Sequence, residues 1–119
     1  MKSTSKGFSR LYFAAIYSWQ GLRSAWKSEA AIRQEIVLLI ILLPLIFFFN
    51  ITAFERALLF FSAMMVLIVE LLNTGLETIV DRIGADFHEL SGKAKDVGSA
   101  AVLVCFLSAA MTWLIILAA

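Results

Sequence analysis

The apolar and polar positions divide the chain into four segments, each with helical character. Phe8, Leu11, Tyr12, Ala15, Ile16, Trp19, Leu22 and Trp26 recur at helical spacing, with Arg10, Gln20, Arg23 and Lys27 between them. This stripe predicts an amphipathic helix over about residues 8–28 that lies in a membrane interface rather than crossing it. The next apolar segment covers about residues 30–49: Arg33 and Glu35 sit at its entrance, Ile36–Phe49 is free of charge, and Pro44 is expected to kink it. A short connection, Asn50-Ile51-Thr52-Ala53, leads to a second run over about 54–83. After a polar loop at about 84–92, a third runs over about 93–118, with no charge from Val97 onward. A crossing needs about 20 apolar residues. The expectation is therefore an all-α membrane protein, one interfacial helix and three transmembrane helices forming a single domain over residues 1–119.

Composition strengthens that reading. Hydrophobic residues make up 61% of the 119 and charged residues 16%, against about 45–50% and 25% in soluble domains. Mean hydropathy is +0.90. The formal net charge of +1 hides an asymmetry, because Lys2, Lys6, Arg10, Arg23, Lys27 and Arg33 all precede the first long apolar run. With Arg82, Lys93 and Lys95, they place the N-terminus and the 84–92 loop on the cytoplasmic side, with the Asn50 loop and the C-terminus outside. This is an orientation signal, not a nucleic-acid footprint. Ser9, Arg10, Ser18 and Gln20 interrupt the N-terminal segment, so no cleavable leader is expected. Cys105 is the single cysteine, lies in an apolar run and reads as packing.

The second run is anomalous. Glu70 follows the apolar stretch Ala57–Val69, and a carboxylate deep in a membrane helix costs about 2.5–3.5 kcal/mol. Each leucine-class residue returns only about 0.3–0.6 kcal/mol. At about 100° per residue, Asn73 lies about 60° from Glu70, and Glu77 and Asp81 about 20° to either side of it. Four polar groups thus share one helix face, and the spans supply few cations to pair with them. Clustered carboxylates repel unless a proton or metal intervenes, and hard oxygen donors suit Mg²⁺, which commonly takes one or two carboxylates plus substrate phosphates. That points to phosphoryl transfer, with Glu29 at the mouth of the first span as a further ligand. The loop string D-F-H-E-L-S-G-K-A-K-D places Asp86, His88 and Glu89 beside Lys93, Lys95 and Asp96 at a helix N-terminus, which suits polyphosphate. Neither a Walker A loop nor a kinase G-x-G-x-x-G is present, and His88 alone is a weak signal.

The strings V-E-L-L-N-T-G-L-E-T-I-V-D-R-I and H-E-L-S-G-K-A-K-D-V-G-S-A-A-V, with G-F-S-R, Y-S-W-Q-G-L-R-S-A-W and E-A-A-I-R-Q-E upstream, closely resemble the small prokaryotic integral membrane diacylglycerol kinases over nearly the whole chain. The resemblance implies an ATP-dependent enzyme of the bacterial inner membrane that converts 1,2-diacylglycerol to phosphatidic acid with Mg²⁺. It also implies a homotrimer with active sites shared between protomers. It makes Glu70 the general base for the lipid hydroxyl and gives the metal of the ATP complex to Glu29 and Glu77. Arg10, Tyr17, Asp86, Phe87, His88, Lys95 and Asp96 resemble the nucleotide site. Arg10, Ser18, Trp19, Arg23, Arg33, Gln34, Glu35, Ser99 and Trp113 resemble the lipid site, beside Glu70. For Trp19, Trp26 and Trp113, interfacial anchoring is an equal alternative. Gly98, Ser99, Ala100 and Ala101 are expected to permit close helix packing. A polyisoprenol kinase using undecaprenol would demand the same carboxylates, although the H-E-L-S-G-K loop looks more like the diacylglycerol group. A small ion or proton translocator, or a membrane scaffold, would have no use for the K-A-K-D cluster.

Overall fold

A computed structural model describes residues 7–84 and 88–119, and the regular structure among them is helical throughout. Four helices follow in order: α1 (Phe8–Ser28), α2 (Ala30–Leu45), α3 (Ala53–Ile83) and α4 (Glu89–Ala118). Gly7 precedes α1 with φ 66°, a left-handed backbone that glycine adopts without a Cβ penalty. At Glu29 the backbone is extended (φ −123°, ψ 115°), which ends α1 and starts α2 in a new direction. Arg33 secures this corner by donating through one Nη to the carbonyls of Trp26 at 2.6 Å and Lys27 at 3.2 Å. Both carbonyls belong to the last turn of α1, where no intrahelical donor remains.

Pro44 does not kink a continuing helix; α2 stops one residue beyond it, at Leu45. Proline offers no N–H and crowds the preceding turn, and the chain after it tightens into a turn, with Phe47 and Phe48 N–H donating to the carbonyls of Pro44 (3.2 Å) and Leu45 (3.0 Å). The turn's other carbonyls are taken up by Arg56 of α3, which donates to Ile46, to Phe49 (3.4 Å) and to Ile51 (3.1 Å). The Arg56 guanidinium lies 5.7 Å from the Phe47 ring centroid, a cation–π contact. Thr52 opens α3 as one half of a capping box. Its hydroxyl oxygen accepts from the Glu55 N–H (3.1 Å), and the Glu55 carboxylate accepts from the Thr52 N–H (3.0 Å).

The last helix begins at Glu89, four residues before its expected start near Lys93. The string E-L-S-G reads as loop because of its glycine, but His88 caps it: Nδ1 accepts from the Leu90 N–H at 3.1 Å, and the His88 carbonyl accepts from the Gly92 N–H at 2.9 Å.

α3 packs most extensively against α4, then against α2, while α1 lies across α2 and α3. The core is thin: Ile32, Ile46 and Leu59 are fully buried, joined by Ala25, Leu39, Ala63, Val66 and Val80. Accessible surface is 9010 Å², whereas a compact soluble monomer of 13.2 kDa would expose roughly 6,400 Å². Many large apolar side chains are exposed. Along α4, Leu103, Val104, Phe106, Leu107, Met111, Leu114 and Ile115 are all exposed, an outer surface that only hydrocarbon or another apolar surface can cover. α3 and α4 are both long and apolar enough to cross a membrane. The fold is therefore that of an all-α membrane protein.

Candidate active site

The α3–α4 contact is closest where Gly98 lies buried beneath Asn73. A Cβ at Gly98 would run into the Asn73 carboxamide oxygen, with Leu76 Cδ2 a further 3.6 Å neighbour. Ser99, Ala100 and Ala101 are exposed, so this approach uses one small residue rather than the expected run of four. Pinned by Gly98, Asn73 donates through Nδ2 to Glu77 Oε1 at 2.8 Å. Its own Oδ1 is buried with no hydrogen-bond partner among the described residues.

Around Asn73 the acidic face of α3 is assembled as the helical spacing requires. Glu70 and Glu77 are both half-buried and close enough to interact electrostatically with each other, and Glu70 interacts likewise with Glu29. Glu29 reaches the group because the α1–α2 break falls at its own position. Glu35, about one and a half turns into α2, adds a fourth carboxylate within reach of Glu70. One turn beyond Glu77, Asp81 Oδ1 pairs with Lys95 Nζ of α4 at 2.6 Å. Three helices thus converge on one acidic site with Lys95 at its edge.

The other expected residues divide into those near this site and those far from it. Ser18 lies in a groove of small polar side chains with Ser24, Ser28, Thr74 and Thr78, where α1 crosses α3. Tyr17 is half-buried and stacked on Phe13, whereas Arg10, Trp19, Arg23 and Gln34 are exposed. Arg10 is about 28 Å from Glu29 along α1, from the rise per residue. Arg33 is engaged with the α1 carbonyls rather than with the carboxylates. His88 serves as the α4 cap and borders a cleft with Val80, Ile83 and Ala94. Asp96 and Ser99 are exposed on α4. Asp86 and Phe87 lie outside the described residues. Trp113 is about 27 Å from Lys95 along α4, and it lines a separate apolar groove with Glu35, Leu38, Ala63, Val66 and Phe106.

Trp113 is held by a residue that the sequence did not single out. Its Nε1 donates to Ser62 Oγ at 3.1 Å, and its ring stands edge-on to Phe49 at 6.4 Å. Only an apolar-helix serine with a tryptophan on the facing helix could have signalled this bond. Among the described residues, no three His, Cys, Asp or Glu side chains converge tightly enough to hold a metal by themselves. The site instead offers pairs of carboxylates beside an unpartnered amide oxygen.

Carboxylates and a lysine brought together where three helices converge make this a helical membrane protein with a polar, charged site. The family model for prokaryotic diacylglycerol kinase matches residues 16–117. The chain is 50% identical over 117 residues to a diacylglycerol kinase of Escherichia coli strain K12, covering 98% of this chain and 96% of that one. It is 47% identical over 107 residues to the diacylglycerol kinase of Haemophilus influenzae, covering 90% and 91%. With the Pseudomonas aeruginosa diacylglycerol kinase it shares 41% over 111 residues, covering 93% and 90%. The chain belongs to the prokaryotic diacylglycerol kinase family and is an enzyme of that family.

Proposed function

We propose that this enzyme transfers the γ-phosphoryl group of ATP to 1,2-diacylglycerol, giving phosphatidic acid at the cytoplasmic face of the bacterial inner membrane. The observation that carries the reading is the meeting of Glu29, at the α1–α2 corner, with Glu70 and Glu77 of α3, with Lys95 of α4 beside them. α3 is 31 residues long, about 46 Å against a hydrocarbon core of about 30 Å. If its Thr52 end lies at one face, Glu70 falls near the other face, and Glu77 and Asp81 lie beyond it. A lipid hydroxyl at the headgroup level and a nucleotide from the cytoplasm meet at that depth. α2 supplies the third crossing with its following turn.

In this reading Glu70 accepts the proton of the lipid hydroxyl, the hydroxyl oxygen bonds to the γ-phosphorus, and the bond to the β-bridging oxygen breaks to release ADP. Positioned base catalysis contributes about 10²–10⁴-fold. Lys95 faces the polyphosphate, and Asn73 fixes the Glu77 carboxylate. The donor set fits Mg²⁺: Glu29 and Glu77 are hard carboxylates that both lie close to Glu70, and Mg²⁺ commonly takes one or two carboxylates beside substrate phosphates. When bound there, Mg²⁺ would neutralise charge on the β- and γ-phosphates. The groove between Glu35 and Trp113 suits an acyl chain whose headgroup end lies toward Glu70.

A homotrimer with shared sites accords with the exposed apolar surface of the single chain. It also accords with the position of Arg10, which one chain leaves far from its own carboxylates. Purified protein incubated with radiolabelled ATP and mixed lipids tests the function. Labelled phosphatidic acid is expected; labelled polyprenyl phosphate would move the acceptor to undecaprenol, and no labelled lipid would refute a lipid kinase. Glu70→Gln should nearly abolish turnover while sparing ATP binding, and substantial remaining activity would remove the base assignment.

A further inference from the structure

The Asp81–Lys95 pair bridges α3 and α4 at the edge of the acidic site, and its side chains are 66% and 42% exposed. Exposed pairs of this kind add little to stability. What the pair decides is where the ammonium rests. Lysine carries its charge on a flexible four-carbon stem with three donors, and Lys95 interacts with Asp81 first and with Glu77 more weakly. Glu77 is one helical turn from Asp81 on the same face, and one of its oxygens is already engaged by Asn73. Without the Asp81 charge, Glu77 is the remaining carboxylate among the described residues whose charge acts on Lys95.

We propose that Asp81 is a positioning residue: by pairing with Lys95 it holds the ammonium off Glu77, leaving that carboxylate free for a divalent cation and the lysine at the mouth of the site. Asp81 touches neither substrate nor cation. The weakness of an exposed pair is part of its use, because an arriving polyphosphate can draw Lys95 away from Asp81 without first breaking a buried ion pair. The inference rests on the reading that Glu77 and Lys95 handle MgATP, and the test keeps the two apart.

Binding of Mn²⁺ without nucleotide, followed by electron paramagnetic resonance on the full chain in detergent, reads whether Glu77 is free. Asp81→Asn should weaken Mn²⁺ binding about three- to tenfold, by adding a competing cation at close range in a partly screened site. It should raise the KM for MgATP similarly and leave kcat at saturation within about twofold, since the reacting groups are untouched. Asp81→Glu should restore both. In a Lys95→Met background, Asp81→Asn should have no further effect on Mn²⁺ binding. Unchanged Mn²⁺ affinity in Asp81→Asn, or an equal loss with and without Lys95, overturns the proposal. Asp81→Ser also removes the charge and replaces Asp81→Asn in each comparison if that variant does not fold. Lys95→Met alone should raise the KM for MgATP. If it does not, the nucleotide role of Lys95 fails, while the Mn²⁺ comparison still reports where the ammonium sits.

Discussion

Gly98→Ala tests whether the Asn73 contact organises the site. The added methyl meets the Asn73 Oδ1, with Cγ at 3.3 Å and Leu76 Cδ2 at an ordinary 3.6 Å. Replacing a mid-helix glycine with alanine gains about 0.5–1 kcal/mol, whereas overpacking a tight contact costs about 1–3 kcal/mol. The clash is with the end of a side chain that can rotate, so the low end applies and these two terms together should cost no more than about 0.5 kcal/mol. Rotation of Asn73 removes its hydrogen bond to Glu77, an interaction with a charged group worth about 1.5–3 kcal/mol. If about half of that appears in the transition state, turnover falls about four- to thirteenfold, at 1.36 kcal/mol per decade. The assay is the rate of lipid phosphorylation in mixed micelles at saturating substrates, with thermal unfolding of the same samples. Activity should fall more than stability does. Because Asn73→Ala empties the space the methyl needs, the unfolding penalty of Gly98→Ala should disappear in that background. Wild-type activity in Gly98→Ala, or an undiminished penalty beside Asn73→Ala, would refute the reasoning.

Other parts of the fold give direct tests. Glu77→Gln should raise the MgATP dissociation constant measured by magnesium titration in detergent, and an unchanged constant would remove Glu77 from the cation site. Arg33→Met leaves the Trp26 and Lys27 carbonyls without their donor, so amide exchange in the last turn of α1 and around Glu29 should accelerate while α3 and α4 stay protected. Ser62→Ala removes the acceptor of the Trp113 indole and should cost about 1 kcal/mol. The tryptophan emission should shift, and the KM for lipid should rise without a change in that for MgATP. Thr52→Ala deletes the α3 cap and should lower stability by about 1 kcal/mol with turnover intact.

Helical structure and a membrane setting are legible in the residues alone, because apolar composition and run length depend on the solvent each residue requires rather than on its neighbours. So is the face shared by Glu70, Asn73, Glu77 and Asp81, since a period of about 3.6 residues is a property of any α-helix. The stop after Pro44 could not be read this way: whether a proline bends or ends a helix depends on what takes up the carbonyls beyond it, and here Arg56 of α3 does so. The early start of α4 depended on the His88 cap, whose strength lies in a ring orientation and not in the string E-L-S-G. Which residues meet across helices was decided by tertiary structure alone. Glu29 reaches Glu70 because the chain turns at that residue, Lys95 finds Asp81 because Gly98 lets α3 and α4 close together, and Trp113 finds Ser62 from a position 51 residues away in sequence. Such contacts depend on helix crossing and rotation. Those are fixed by packing between segments, a quantity that no single segment contains.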